Sequence, residues 1–201
     1  MNEIQKMFSQ SSSPAEFSRK YLNHISQTLL KMDSEKIGQM ISVFESARER
    51  GATVFFIGNG GSAATASHFA NDIGVGTRTW DRPFRCMALT DNVATITALA
   101  NDYGYDAVFE YQLKNLLRIG DVVVAITASG NSPNILKALE YSKSKGAYSV
   151  GLTGFDGGKA AQLVDLSIHV PTTKGEYGPV EDAHMVVDHL IGAYLSTKNA
   201  K

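Results

Sequence analysis

Two segments rich in glycine, serine and threonine carry the groups best suited to binding an anion. The first is GNGGS at 58–62, and the second is TASGNS at 127–132. Each follows an apolar run and leads into a segment with helical spacing, so backbone N–H groups at a helix start are available to a phosphate without any lysine. The first segment matches neither Walker A nor GxGxxG. These segments predict a site for a phosphate or a hydroxyl-rich ligand.

The second segment has a simpler interpretation when it is taken alone. Ser132 precedes Pro133, which is the ordinary chemistry of a helix start, so Ser132 could be only a cap and Gly130 only a turn. The two segments together favour a binding site, because the carboxyl ends of parallel strands meet at one edge of a sheet, where ligands bind.

Titratable residues follow the first segment and recur near the end of the chain. His68 and Asp72 are four residues apart in a helical segment, so both point from one face. His68 judged alone is more often a structural histidine. His184 and Asp188 are also four apart, and this spacing is typical of a pair with a structural or interfacial role.

The elements that must position these groups alternate between strands and helices. Five short apolar runs have the composition of strands: 53–57, 84–89, 121–126, 148–152 and 166–170. Helical spacing occupies 62–73, 91–99, 106–117, 132–145 and 180–195, and two further helices are expected within 14–50. This order predicts an α/β fold with a parallel sheet.

Bulk properties exclude several functions. The 201 residues predict a single domain, 1–201, with a helical extension at 1–50 and an α/β core at 51–201. With 19 basic and 20 acidic residues, the chain lacks the field that draws proteins to nucleic acid or to membranes. Cys86 is the one cysteine, and no signal peptide or membrane span is evident, which predicts a cytoplasmic protein. The extra amphipathic helices favour a homo-oligomer, and packing on their own sheet is the alternative.

Five ordered blocks resemble the sugar isomerase (SIS) domains, and among them the phosphoheptose isomerases. They are GNGGSAATASHFAND (58–72), TDNVATITALANDYGY (90–105), ITASGNSPNILKAL (126–139), GLTGFDGGKAA (151–161) and EDAHMVVDH (181–189). The resemblance implies a flavodoxin-like three-layer sandwich with a five-stranded parallel sheet and added terminal helices, assembled as a tetramer. It also implies that sedoheptulose 7-phosphate is converted to D-glycero-D-manno-heptose 7-phosphate.

The resemblance also implies roles for individual residues. The phosphate and sugar would be bound by Asn59, Gly60, Gly61, Ser62, Asn101, Asp102, Thr127, Ala128, Ser129, Ser132 and Glu181. Zn²⁺ or another divalent metal would be bound by His68, Asp72, Glu181 and His189, although the same four residues could form a hydrogen-bonded cluster without metal. Asp72 would be the catalytic base and His189 its partner, but a carboxylate bound to a metal is a weaker base.

Several positions depart from the family pattern. Asp72 stands where the family has glutamate, and Glu181 stands where it has glutamine; the added negative charge favours a bound metal. Gly76 and Gly178 replace an arginine and an aspartate that contact substrate, so a related heptose or ketose phosphate is an alternative substrate. A non-catalytic SIS protein, associated with a replication initiator or sensing sugar phosphates, is the alternative function.

Overall fold

The computed structural model describes residues 1–199. A single five-stranded parallel sheet with the strand order β2-β1-β3-β4-β5 organises this part of the chain, which confirms the predicted α/β class. The central strands are buried on both faces, as their runs of Val, Ile and Phe require. The strands are β1 (Thr53–Gly58), β2 (Arg85–Ala88), β3 (Val122–Thr127), β4 (Tyr148–Thr153) and β5 (Leu166–His169).

Helices cover both faces of the sheet and extend from both ends of the chain. They are α1 (Glu3–Ser9), α2 (Pro14–Leu29), α3 (Ser34–Arg50), α4 (Gly61–Asn71), α5 (Val93–Tyr103), α6 (Val108–Leu116), α7 (Pro133–Ser144), α8 (Ala160–Leu163) and α9 (Tyr177–Asn199). Two of them, α1 and α8, are too short to show helical periodicity in the sequence. Within residues 1–199, every helix falls short of the length or hydropathy that a membrane span requires.

Successive strand residues point to opposite faces of the sheet and contribute to two hydrophobic cores. The result is three layers, with helices on each face of the sheet. Phe56 points to the side covered by α3, α4 and α9, whereas Phe55 points to the side covered by α6 and α7. On the first side, Phe56 stacks on Phe69 of α4 with ring centroids 5.1 Å apart, and Phe44 of α3 packs edge-on against both rings. These aromatic contacts fix α4 on the sheet, and so they help to position His68 in its last turn and Asp72, which directly follows the helix.

The helix α4 ends in an irregular turn. Residues Asp72–Gly76 form a π-helical turn directly after Asn71. Such turns shift the side chains that follow them and recur at functional sites. The predicted helix 62–73 therefore changes its geometry at the residue assigned as the catalytic base.

Candidate active site

The two glycine- and hydroxyl-rich loops are neighbours at one edge of the sheet. Because β1 pairs with β3, Gly58 lies beside Ile126 and the chains that leave these residues meet. They enclose a small cavity of about 160 Å³. Its lining is Asn59, Ser62, Ile126, Thr127, Ala128, Ser129, Ser132, Tyr177 and Glu181. Seven of these nine residues were predicted from the sequence as substrate contacts; Ile126 and Tyr177 were not.

The hydroxyl groups of the second loop remain available to a ligand. Ser132 occupies the N-cap position of α7, yet its side chain makes no capping hydrogen bond. Thr127 Oγ1 accepts the N–H of Gly130 at 3.2 Å, and Ser129 Oγ accepts that of Asn131 at 3.3 Å. Both of these hydroxyls keep their own proton for donation. The interpretation of Ser132 as only a helix cap is therefore not supported.

Close backbone packing explains the glycine in this loop. Gly130 has a φ of +63°, in the left-handed region that favours glycine. A β-carbon at this position would collide with the carbonyl group of Gly157. The TASGNS loop is thus held against the segment after β4, and Gly130 allows that approach.

The side chain of Asn59 is fixed by residues that sequence reasoning missed. Asn59 and Asn134 exchange two amide hydrogen bonds, at 2.8 and 2.9 Å, and Tyr105 Oη donates to Asn59 Oδ1 at 2.8 Å. Asn134 is buried in the first turn of α7. In the sequence, its position immediately after Pro133 indicated that Asn134 lies in the first turn of a helix, next to the second loop. The pair couples the first loop to the helix that follows the second loop.

Glu181, near the start of α9, lies against the N-terminal end of α4. A β-carbon on Gly61 would collide with its carboxylate, so Gly61 and Glu181 are in close contact. Partial burial, with a smaller contribution from the nearby Asp182, raises the pKa of Glu181. The positive end of α4 makes this a favourable place for a carboxylate. Glu181 therefore belongs to the cavity side of the site.

A second group of titratable side chains lies further along α4 and α9. Nε2 of His189 is 3.2 Å from Nε2 of His68, which in turn is 3.3 Å from Oδ2 of Asp72. One ligand atom from each of His68, Asp72, Asp188 and His189 lies within 4.8 Å of the others, an arrangement able to hold a metal ion. A single chain thus brings together three of the four residues predicted to bind metal. Glu181 is not among this group, and Asp188 is.

The sequence predicted that Asp188 pairs with His184, but in the structure the two residues have other neighbours. His184 is fully buried and its Nε2 lies 3.4 Å from the carbonyl oxygen of Thr153 instead. The Asp188 side chain is fully buried as well, and Oδ2 lies 4.0 Å from Nε2 of His68. Burial, with a contribution from the charge of Asp72, raises the pKa of Asp188 to about 7. Asp188 therefore faces the histidine cluster.

Two predicted substrate contacts lie apart from the cavity within this chain. Asn101 and Asp102 are exposed in the last turn of α5, where Asn101 Nδ2 donates to Asp102 Oδ1 at 2.8 Å. Neither lines the cavity. Gly60 lies at the N-cap of α4 with a φ of +55°, which shapes the first loop rather than presenting a side chain.

Comparisons with known proteins agree with this architecture. The profile of the SIS domain family matches residues 19–154. The phosphoheptose isomerase of Rhodospirillum rubrum is 43% identical over 77% of this chain and 81% of its own length. The phosphoheptose isomerase of Aneurinibacillus thermoaerophilus is 40% identical over 84% of this chain and 82% of its own length.

A solved structure extends the likeness to three dimensions. The phosphoheptose isomerase from Neisseria gonorrhoeae superimposes with a TM-score of 0.82 at 28% identity, covering 92% of this chain and all of that one. The chain therefore belongs to the SIS domain family and, within it, to the phosphoheptose isomerases.

Proposed function

We propose that this chain isomerises sedoheptulose 7-phosphate to D-glycero-D-manno-heptose 7-phosphate. The observation that carries the proposal is that one helix, α4, links a hydroxyl-lined cavity to a cluster of imidazoles and carboxylates. Ser62 in its first turn lines the cavity, and His68 is six residues further on, about 9 Å along the axis. This spacing suits a substrate with an anionic group at one end and a reactive carbonyl at the other.

The cavity would bind the phosphate. Thr127, Ser129 and Ser132 supply hydroxyl donors, and the start of α7 supplies the positive end of a twelve-residue helix. Asn59, held in place by Asn134, would then donate to a hydroxyl group of the sugar. Asn101 and Asp102 remain proposed sugar contacts; within one chain they are exposed, so a neighbouring subunit would have to bring them to the ligand.

The cluster would move the proton. Isomerisation removes a hydrogen from C1 of the ketose and returns one to C2, through an enediol-like intermediate. Asp72 would take the C1 proton, and His189, exposed and 3.2 Å from His68, would exchange a proton with the carbonyl oxygen. The exposed edges of both histidines leave room for the sugar.

The same residues suit a zinc ion. His68, Asp72 and His189 provide two imidazoles and a carboxylate, which are ordinary ligands for Zn²⁺. Bound there, the ion would polarise the substrate carbonyl and stabilise negative charge on its oxygen. The three residues would then hold the ion, and Asp72 would be a weaker base while it is bound to the metal.

We also propose that the chain acts as a cytoplasmic homotetramer. Val186, Leu190 and Tyr194 are each 40–49% exposed and lie four residues apart, so they form an apolar stripe on α9. A stripe of this kind suits a helix packed on another subunit. Light scattering coupled to size-exclusion chromatography would test the subunit number.

The substrate is tested with a panel of ketose phosphates in deuterated water, monitored by NMR. Deuterium at C1 of the recovered ketose, with formation of the aldose, supports the proposal and identifies the sugar. Binding without exchange would instead indicate a sugar-phosphate sensor. Failure to bind any of the panel would favour a non-catalytic partner protein.

A further inference from the structure

Asp188 is a buried carboxylate that lacks a hydrogen-bond partner in the described part of the chain. Its side chain is 0% exposed, and among residues 1–199 neither of its oxygens has a hydrogen-bond partner. A carboxylate removed from water without hydrogen bonds or an opposite charge is strongly unfavourable. An isolated aspartate is therefore a poor choice for this position on packing grounds alone, and a cation at the site would satisfy it.

The position of Asp188 fits such a cation. Its Oδ2 lies 4.0 Å from Nε2 of His68, whose other neighbours are His189 at 3.2 Å and Asp72 at 3.3 Å. Four ligands at ordinary zinc–nitrogen and zinc–oxygen distances in a tetrahedron lie about 3.3–3.5 Å from one another. Two of the separations, His68–His189 and His68–Asp72, already have this spacing, and the distance from Asp188 Oδ2 to His68 Nε2 exceeds it by about half an ångström.

Glu181 is poorly placed for the same task. It precedes Asp188 by seven residues, or about 10 Å along α9, and its carboxylate contacts Gly61 at the opposite end of α4 from His68. Asp188, in contrast, is fixed on the buried side of α9 where that helix packs against α4. The two acidic residues therefore serve different parts of the site.

We propose that Asp188 is the fourth ligand of a divalent metal ion bound by His68, Asp72 and His189, and that Glu181 is not a ligand. Two carboxylates and two neutral imidazoles balance the two positive charges of the ion. This donor set suits Zn²⁺ and also other divalent first-row ions. The inference rests on the metal site of the proposed function and is independent of the sugar and of the reaction.

The test is a metal titration of three proteins without sugar. Wild type, Asp188→Asn and the matched control Glu181→Gln are stripped with a chelator and titrated with Co²⁺, whose visible absorption reports its ligands, and then with Zn²⁺ in competition. We expect Asp188→Asn to lose more than about 100-fold in affinity, beyond the loss caused by outer-shell substitutions, and to change the Co²⁺ spectrum. Glu181→Gln should match the wild type in both measurements.

The opposite pattern overturns the inference, as do equal affinities in all three proteins. Circular dichroism of the metal-free variants establishes that each is folded. If Asp188→Asn does not fold, a crystal structure of the zinc-loaded wild type decides the matter. An Asp188 oxygen about 2.0–2.2 Å from the ion supports the proposal, and a Glu181 oxygen at that distance refutes it. Because no sugar is present, a failure of the isomerase proposal would leave this result unchanged.

Discussion

Replacing Gly130 by alanine should damage the phosphate loop by a predictable amount. The left-handed backbone at φ +63° costs a non-glycine residue roughly 1–2 kcal/mol. The new methyl group would also meet the carbonyl of Gly157, and since this is a backbone contact, no side-chain rotation relieves it. Overpacking of this kind costs about 1–3 kcal/mol. The sum predicts that Gly130→Ala lowers the free energy of unfolding by roughly 2–5 kcal/mol.

The chain offers a matched control. Gly51, at the C-terminal cap of α3, has a φ of +67°, but within residues 1–199 a β-carbon there would have no other heavy atom within 4 Å. Gly51→Ala should therefore lower the free energy of unfolding only by the cost of the left-handed backbone, about 1–2 kcal/mol. Urea unfolding followed by circular dichroism measures both variants.

Substrate affinity separates the two variants further. Displacing the loop should cost Gly130→Ala at least one hydrogen bond to the phosphate, which raises KM by about tenfold or more. Gly51→Ala should keep the wild-type KM. If Gly130→Ala is as stable as Gly51→Ala and binds substrate normally, then the close packing of the loop does not form the phosphate site.

Three further changes probe other parts of the account. Ser132→Ala should weaken sugar-phosphate binding, measured by calorimetry, about tenfold. It should change the free energy of unfolding by less than about 0.5 kcal/mol, because the Ser132 hydroxyl makes no capping hydrogen bond. Asp72→Asn should slow solvent exchange at C1, measured by NMR, by about 10²–10⁴-fold without loss of phosphate binding. Burial lowers the pKa of His184 to about 4 from 6.5, so the unfolded chain binds the extra proton first as pH falls. Between pH 7.5 and 4, the free energy of unfolding of the wild type should therefore fall by up to about 3 kcal/mol more than that of His184→Gln, measured by urea unfolding. Parallel plots of unfolding free energy against pH for the two proteins would contradict this.

The strands and loops could be predicted because their signals are local. Continuous apolar runs such as 122–126 specify a strand buried on both faces, and the glycines and hydroxyls that follow mark its carboxyl end. The four-residue spacing predicted that His68 and Asp72 point from one face of a helix, whereas their metal-binding and catalytic roles were implied by the family resemblance. These inferences need no knowledge of how the elements pack.

Asp188 could not be assigned in this way. The sequence pairs it with His184, but the outcome depends on which side of α9 faces α4 and which side faces β4. In the structure His184 contacts Thr153, and Asp188 faces His68. The π-helical turn that begins at Asp72 likewise has no local sequence signature. Tertiary packing decides these features.

The most direct test of the account is the fate of sedoheptulose 7-phosphate in deuterated water with the purified, metal-loaded protein. The account predicts that the aldose heptose 7-phosphate appears with deuterium at C2, that recovered ketose carries deuterium at C1, and that Asp72→Asn binds the sugar without either exchange. Bound sugar phosphate that retains all of its carbon-bound hydrogen in the wild type would contradict the central claim.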